Sequence, residues 1–198
     1  MSLPTPAQQT EERTMSNPEL HTETTVGTSG ADTHERGPEI TEDAPVVARA
    51  ELEIDATVDT VWGVLTAIGE WPAWNPDVKS VSFDGPVATG STFRWKAGPG
   101  TINSTIEHIE RPRLIAWSGN TLGIRATHVW RLEQRGGKTF AQTEESYEGL
   151  VVRILRRPLQ KALNRALSDG LGNLKIEAER TARSAATRSD RPSGERSS

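Results

Sequence analysis

The sequence predicts an α+β domain in which a curved antiparallel sheet of seven strands wraps around one long C-terminal helix. Three observations support this prediction: a strand and an amphipathic helix open the domain, six segments with two-residue alternation follow, and a 3.6-residue apolar period returns after Gly149. Short turns containing Gly or Pro separate the alternating segments, so neighbouring strands are expected to pair antiparallel. A helix with one apolar stripe needs a sheet face on which to bury it.

The first strand and first helix have clear sequence signals. Residues 46–55 alternate between apolar and polar side chains, which is typical of a half-buried strand. Residues 57–68 place apolar side chains at helical spacing. Thr57 stands at the N-cap position and Asp59 in the first turn, where the helix dipole favours an acid.

A short aromatic segment follows the first helix. Residues 66–76, "TAIGEWPAWNP", contain two tryptophans and end at Asn75-Pro76, where a helix cannot continue. This segment is predicted to form a second short helix at one opening of the domain. We expect Trp74 to point inward and Trp71 to lie closer to the rim.

Six more strands and the long helix complete the predicted order. The alternating segments are 77–85, 91–98, 101–110, 113–119, 122–134 and 138–149. The helix that follows is expected to reach about residue 180. Because Pro158 lies in its first part, residues 150–157 either form a separate helical turn or join the rest through a kink. The first strand is expected to pair with the last, which nearly closes the sheet.

The two ends of the chain differ in composition from the middle. Residues 1–44 carry nine acidic and two basic residues and no aromatic residue, so we predict a disordered acidic tail. Residues 183–198 are predicted to form a second disordered tail. The folded domain is therefore expected to span residues 45–182, which are nearly neutral.

Composition also excludes several classes of protein. A nearly neutral domain lacks the concentrated basic face of a nucleic-acid binder, and no apolar run is long enough for membrane insertion. The absence of cysteine removes disulfides and cysteine-type zinc sites. No signal peptide is recognisable, so a soluble cytoplasmic protein is expected. We expect no cofactor and no metal site, and the oligomeric state is not predicted.

Alternation indicates which side chains share the inner face of the sheet. The aromatic-rich faces are taken as concave, and Ser104 and His108 are expected on the same surface. For the last strand, the set containing Phe140 and Glu144 is favoured as inward. Polar groups that converge in an apolar concavity are typical of a small-molecule site. The predicted cavity residues are Trp74, Phe93, Trp95, Ile106, Trp117, His128, Trp130, Leu163, Leu167 and Leu171.

Catalytic motifs are scarce. The sequence contains no G-x-S-x-G, no H-E-x-x-H and no glycine-rich phosphate loop. His128 is a candidate acid or base, although a histidine bonded across the core explains the position equally well. Glu144 is a candidate acid if the cavity holds it neutral. The alternative places Glu144 at the sheet rim in an ion pair with Arg125 or Arg153.

A basic cluster lies at the head of the long helix. Residues 153–161, "RILRRPLQK", carry four cations and no acid. The cluster can approach an anionic membrane or hold an anionic group of a ligand. A solvated helix face accounts for it as well.

Several segments resemble the SRPBCC superfamily, and within it the polyketide cyclase/dehydrase type of domain, related to START domains and the birch pollen allergen. The segments are "VWGVLTAIGEWPAWNP", "GSTFRW", "IERPRLIAWSG", "THVWRLE" and "EESYEG", followed by the long helix. The resemblance covers about residues 46–182. It implies a helix-grip fold with a deep hydrophobic cavity that binds lipids, polyketides or sterols. Some members cyclise and dehydrate polyketides, but no residue set here matches a cyclase active site.

Three functions remain open from the sequence. The first is binding of a hydrophobic small molecule, a lipid, polyketide or similar, between the sheet and the C-terminal helix. The second is a polyketide cyclase/dehydratase-type enzyme that uses His128 and Glu144 for proton transfer. The third is an interaction protein whose cavity is filled by its own tryptophans.

Overall fold

The computed structural model describes residues 38–189. Predictions for residues 1–37 and 190–198, which form most of the two expected tails, lie outside the described residues. All elements below belong to one compact unit.

The described chain forms seven strands and four α-helices in the predicted order. A single 3₁₀ turn, Ile68–Glu70, joins the first two helices. The strands are β1 (Val46–Ile54), β2 (Val78–Ser82), β3 (Thr92–Ala97), β4 (Gly100–Glu110), β5 (Leu114–Thr121), β6 (Ile124–Arg135) and β7 (Lys138–Glu148). The helices are α1 (Val58–Thr66), α2 (Trp71–Trp74), α3 (Leu150–Ile154) and α4 (Arg156–Ser189).

The strands form one antiparallel sheet in the order β1-β7-β6-β5-β4-β3-β2. The predicted fold class and the predicted pairing of the first strand with the last are both confirmed. At the β1 edge, Gln160 of α4 accepts from the Val47 N–H and donates to the Val47 carbonyl (3.4 and 2.6 Å). This side chain therefore satisfies both outward main-chain groups of that edge residue.

The main core lies between the concave face of the sheet and the helices α1 and α4. From α1, the buried side chains are Val61, Trp62 and Leu65. The Thr57 hydroxyl caps this helix by accepting from the Thr60 N–H (3.4 Å), as predicted. A second cluster packs β1 against the first half of α4 and includes the fully buried Val152 of α3.

The folded region begins before residue 45. Ile40 is buried on the convex face of the sheet against Leu114, Ala116 and Val129. Residues 38–44 therefore depart from the predicted disordered tail, because one isoleucine in an otherwise polar segment covers an apolar patch that the sheet alternation leaves outside.

The long helix also differs from its predicted end. It continues to Ser189, so the expected boundary at residue 182 is wrong by seven residues. Residues 183–188 lack an apolar stripe but include alanine and arginine, which are strong helix formers. At the other end, α3 is a separate element and Pro158 lies in the first turn of α4, where its missing N–H leaves no bond unmade.

Candidate ligand cavity

A cavity of about 420 Å³ lies between the concave face of the sheet and the first half of α4. This volume is within the range of small-molecule sites. The tryptophans leave this space open, which contradicts the third alternative, a cavity filled by its own tryptophans. The wall is mostly apolar and is built from β2 to β7, α1, α2 and α4.

Small side chains on α4 leave room for the cavity. Ala162, Ala166 and Gly170 line it and recur at four-residue spacing, which places them on one face of the helix. Leu163 and Leu167 flank this stripe and close the wall on the β1 side. The helix therefore anchors itself through leucines while its small residues face the open space.

Trp71 is the centre of the aromatic wall. Its ring lies 5.7, 5.6 and 5.7 Å from the rings of Phe93, Trp95 and Trp117, respectively. The indole N–H donates to the Leu65 carbonyl (2.9 Å), so the buried ring has its hydrogen bond.

Both tryptophans of α2 line the cavity, as predicted for Trp74, but the predicted rim position of Trp71 is wrong. Trp71 is buried, whereas Trp74 is only half-buried at the cavity wall. The 3₁₀ turn before α2 directs the first residue of this single-turn helix toward the sheet. Sequence periodicity carries no information about orientation in so short an element.

Seven of the ten predicted cavity residues line the cavity: Trp74, Trp95, Trp117, His128, Trp130, Leu163 and Leu167. The other three are Phe93, Ile106 and Leu171, which are buried in the packed core beside it. They share the inner face, but the α1 side of the domain covers them with close-packed side chains.

The facing of β7 corrects the prediction for Glu144. The inward residues of β7 at the cavity are Glu145 and Tyr147, and the register pairs Glu145 with His128. Glu144 points outward and bonds Arg49 and Arg131 (2.8 and 3.2 Å). Both alternating sets of β7 contain polar residues, so alternation alone does not distinguish them.

His108 also lies on the convex face. A β-bulge between Ile106 and His108 adds one residue to β4, so His108 is paired with the outward Ala116. Its ring bonds Glu110 (3.2 Å). Alternation counted straight along β4 misses this shift.

His128 lies at the polar end of the cavity. Its Nε2 is 2.7 Å from the Thr143 hydroxyl, and its Nδ1 is 3.6 Å from a carboxyl oxygen of Glu145. The rings of Trp117 and Trp130 lie 4.7 and 5.5 Å away. Burial lowers the pKa of His128 to about 3, which keeps the imidazole neutral at pH 7.

Glu145 is the buried acid that the sequence analysis missed. Its side chain is 13% exposed, and burial raises its pKa to about 8. Burial, with the nearby Glu145, also raises the pKa of Tyr147. An N–H on Nε2 that donates to Thr143 leaves Nδ1 unprotonated, and this nitrogen faces the Glu145 carboxyl at 3.6 Å, beyond hydrogen-bond distance. Glu145 and His128 are thus both uncharged at neutral pH. The register of β7 against β6, which pairs Glu145 with His128, is the signal that identifies Glu145 as the inward acid.

Other polar groups at the wall are partly satisfied. Ser104 accepts from the Trp95 indole N–H (3.1 Å). Within residues 38–189, three side-chain atoms are buried without a hydrogen-bond partner: His128 Nδ1, the Thr121 hydroxyl and the Trp130 indole N–H. The cavity therefore combines a mostly apolar wall with a small group of uncharged polar atoms around His128, and the exposed Asp77 lines it beside α2.

Two turns form the mouth of the cavity together with α4. The β3–β4 turn contributes Gly98, Pro99 and Gly100, and the β5–β6 turn contributes Leu122. A Cβ at Gly100 would lie 2.5 Å from the Thr121 hydroxyl, so only glycine lets the two turns approach this closely. Among the described residues, no helix has the length and hydropathy to cross a membrane, and no cluster of acidic and histidine side chains could hold a metal.

A curved antiparallel sheet that grips a long helix, with a cavity between them, defines the helix-grip class of domain. Residues 45–179 match the family described as polyketide cyclase / dehydrase and lipid transport, and the chain belongs to this family. The predicted SRPBCC membership is thereby confirmed.

Solved structures with the same fold share little sequence with this chain. The ZhuI aromatase/cyclase of Streptomyces sp. R1128 is 18% identical, with a TM-score of 0.61 over 70% of this chain and 96% of that one. A START superfamily protein of Mycobacterium smegmatis is 14% identical, with a TM-score of 0.54 over 70% and 98%. A hypothetical protein of Helicobacter pylori, also 14% identical, has a TM-score of 0.63 over 70% and 91%. No curated protein matches the sequence.

Proposed function

We propose that the protein binds one hydrophobic small molecule, a lipid, polyketide or similar, in the cavity between the sheet and α4. The observation that carries the proposal is the open space of about 420 Å³ with an apolar wall and an uncharged polar end. A charged ligand group would meet a neutral imidazole and a protonated carboxyl rather than a counter-ion. The site therefore favours an apolar ligand with one uncharged polar group, such as a carbonyl or hydroxyl.

Native mass spectrometry of the full chain, followed by organic extraction, tests this proposal directly. A second arm uses prodan, a neutral fluorescent naphthyl ketone, as a defined probe. We expect its emission to shift to the blue on binding. Gly170→Leu places a side chain in the cavity, because a Cβ at Gly170 meets only the Asn75 amide at 3.9 Å. This variant is expected to weaken prodan binding at least about tenfold.

Gly172→Leu is the matched control on the same helix. A Cβ at Gly172 meets nothing within 4 Å, and Gly172 is absent from the cavity wall. It should bind prodan as the parent protein does. Absence of both a co-purifying molecule and prodan binding contradicts the proposal, as does equal binding by the two leucine variants.

A second candidate function is a polyketide cyclase/dehydratase-type enzyme. The observation that favours it is the neutral pair of Glu145 and His128, because a protonated carboxyl can act as a general acid toward a substrate carbonyl. Activity should then fall as the pH rises through about 8, where Glu145 loses its proton.

Turnover of a linear polyketone thioester tests this second candidate. Glu145→Gln is expected to lower kcat at least about a hundredfold, whereas Glu144→Gln, on the convex face, should retain it. Turnover that is unchanged in both Glu145→Gln and His128→Gln removes the pair from any mechanism and leaves binding as the function.

A further inference from the structure

An exposed apolar surface lies beside the cavity mouth. We define the α3 patch as Leu150, Val151, Ile154, Leu155 and Leu122. Leu150, Ile154 and Leu122 are 73%, 72% and 67% exposed. Among the large hydrophobic residues exposed in the described chain, only Ile176 lies outside this patch. Clustering of such residues marks an interaction surface rather than ordinary scatter.

The patch is continuous because α3 packs against the β5–β6 turn. A Cβ at Gly123 would lie 3.5 Å from the Val151 side chain, and one at Gly149 would lie 2.4 Å from the Gly123 carbonyl. Val152 is the buried residue that attaches α3 to the core. The other apolar side chains of α3 therefore contribute little to the fold and remain free to contact a partner.

A basic flank adjoins the patch. Residues 149–168 contain five basic residues and no acidic one. Arg156, Arg157 and Lys161 line one surface groove, so their charges are concentrated on one face. Of the basic residues in this segment, Arg165 has its carboxylate partner in Asp169. The remaining cations, Arg153 included, make no ion pair in the described part of the chain.

The patch and the cavity mouth share residues. Leu122 belongs to the patch and also lines the cavity. Leu159 and Ala162, on the first turns of α4 after the basic residues, line the cavity as well. A surface that contacts the patch therefore lies next to the route by which an apolar molecule enters.

We propose that the α3 patch and its basic flank dock the cavity mouth onto an anionic lipid surface. The aliphatic side chains enter the boundary between headgroups and acyl chains, while the arginines and lysine contact acidic headgroups. Two copies that meet through this surface would bring their cation clusters together, which opposes a symmetric dimer.

Co-sedimentation of the full chain with lipid vesicles tests the docking and needs no cavity ligand. Vesicles of phosphatidylcholine alone are compared with vesicles that contain about one third phosphatidylglycerol. We expect binding to the anionic vesicles only, and weaker binding when salt rises from about 0.1 to about 0.5 M. Failure of ligand binding in the cavity would leave this result unchanged.

Two variants examine the two parts of the surface. Charge reversal at Arg153, Arg156, Arg157 and Lys161 to Glu should lower the partition coefficient at least about a hundredfold, since each cation contributes roughly fivefold near an anionic surface. The variant Leu150→Ser/Ile154→Ser should lower it at least about tenfold. Thermal unfolding of each variant, followed by circular dichroism, verifies that the domain is folded.

Matched controls lie outside the α3 patch and its basic flank. Arg94→Glu/Lys96→Glu reverses two exposed charges on β3, and Ile176→Ser removes an exposed large aliphatic side chain outside the patch. Both should bind vesicles as the parent protein does. Equal binding to neutral and anionic vesicles, or equal binding by the patch variants and the controls, overturns the proposal. So does a dimer that Leu150→Ser/Ile154→Ser dissociates in the absence of any vesicle binding.

Discussion

The two ends of the space between sheet and helix have the same sequence pattern and opposite packing. At one end, Phe93, Ile106 and Leu171 are fully buried in a close-packed core that α1 covers. At the other, Ala162, Ala166 and Gly170 of α4 leave about 420 Å³ open. The comparison teaches that an inner-face pattern identifies which residues point inward. The size of the side chains on the opposing helix decides whether that space is filled.

The largest expected effect comes from shortening leucines at the two ends. Leu171→Ala, in the packed end, should cost about 4 kcal/mol of unfolding free energy because it leaves a cavity among close-packed neighbours. Leu163→Ala, at the wall of the open end, should cost about 2.5 kcal/mol, because one side of Leu163 already faces open space. Urea unfolding at pH 6 measures both values. Equal costs would show that the two ends are packed alike.

The pH dependence of the free energy of unfolding should depend on the two buried titratable groups at the open end, Glu145 and His128. Burial raises the pKa of Glu145 from 4.5 to about 8. Between these pH values the folded chain keeps a proton that the unfolded chain releases, so the free energy of unfolding falls as the pH rises. Burial lowers the pKa of His128 from 6.5 to about 3, so stability falls with decreasing pH across that window. Between pH 4.5 and 6.5 the opposite effects of Glu145 and His128 on the free energy of unfolding cancel. From pH 6.5 to 8 the free energy of unfolding should fall by about 2 kcal/mol.

Two neighbouring carboxyls provide the controls for this profile. Glu145→Gln should abolish the loss of stability above pH 6.5 and make the protein more stable than its parent at pH 8. Glu144→Gln removes the convex-face ion pairs with Arg49 and Arg131, which should cost about 1 kcal/mol or less. It should keep the shape of the profile. Urea unfolding at several pH values measures both, and a flat parent profile would contradict the assigned burial of Glu145.

The smallest expected effect comes from filling the open end. Gly170→Leu and Gly172→Leu each replace a helical glycine, which should stabilise the protein by about 0.5 to 1 kcal/mol in the absence of ligand. Thermal unfolding measures the gain. A loss of stability in Gly170→Leu alone would mean that the space beside α4 is smaller than the structure gives.

Much of this comparison was predictable from the sequence, because two-residue alternation is a direct consequence of strand geometry. The strand order and the inward faces of β3, β5 and β6 agree with it. The errors fall where alternation carries no information. Both faces of β7 bear polar residues, so alternation does not distinguish Glu144 from Glu145, and the bulge in β4 places His108 on the convex face.

The remaining differences have the same kind of cause. A single helical turn has no period, which explains why the sequence does not predict the burial of Trp71. Separating the three packed residues from the seven at the cavity wall required knowing which part of α4 faces them. The small-residue spacing on α4 was visible in the sequence, but its meaning depends on the sheet opposite.

The hydrogen bonds of Gln160 to Val47 have a consequence for the behaviour of the protein at high concentration. A strand edge with free main-chain groups can recruit a strand from another molecule and start an ordered aggregate. At Val47 both outward groups are already engaged by one glutamine side chain of α4. The long helix thus also blocks the growth of the sheet from one molecule into the next at that point.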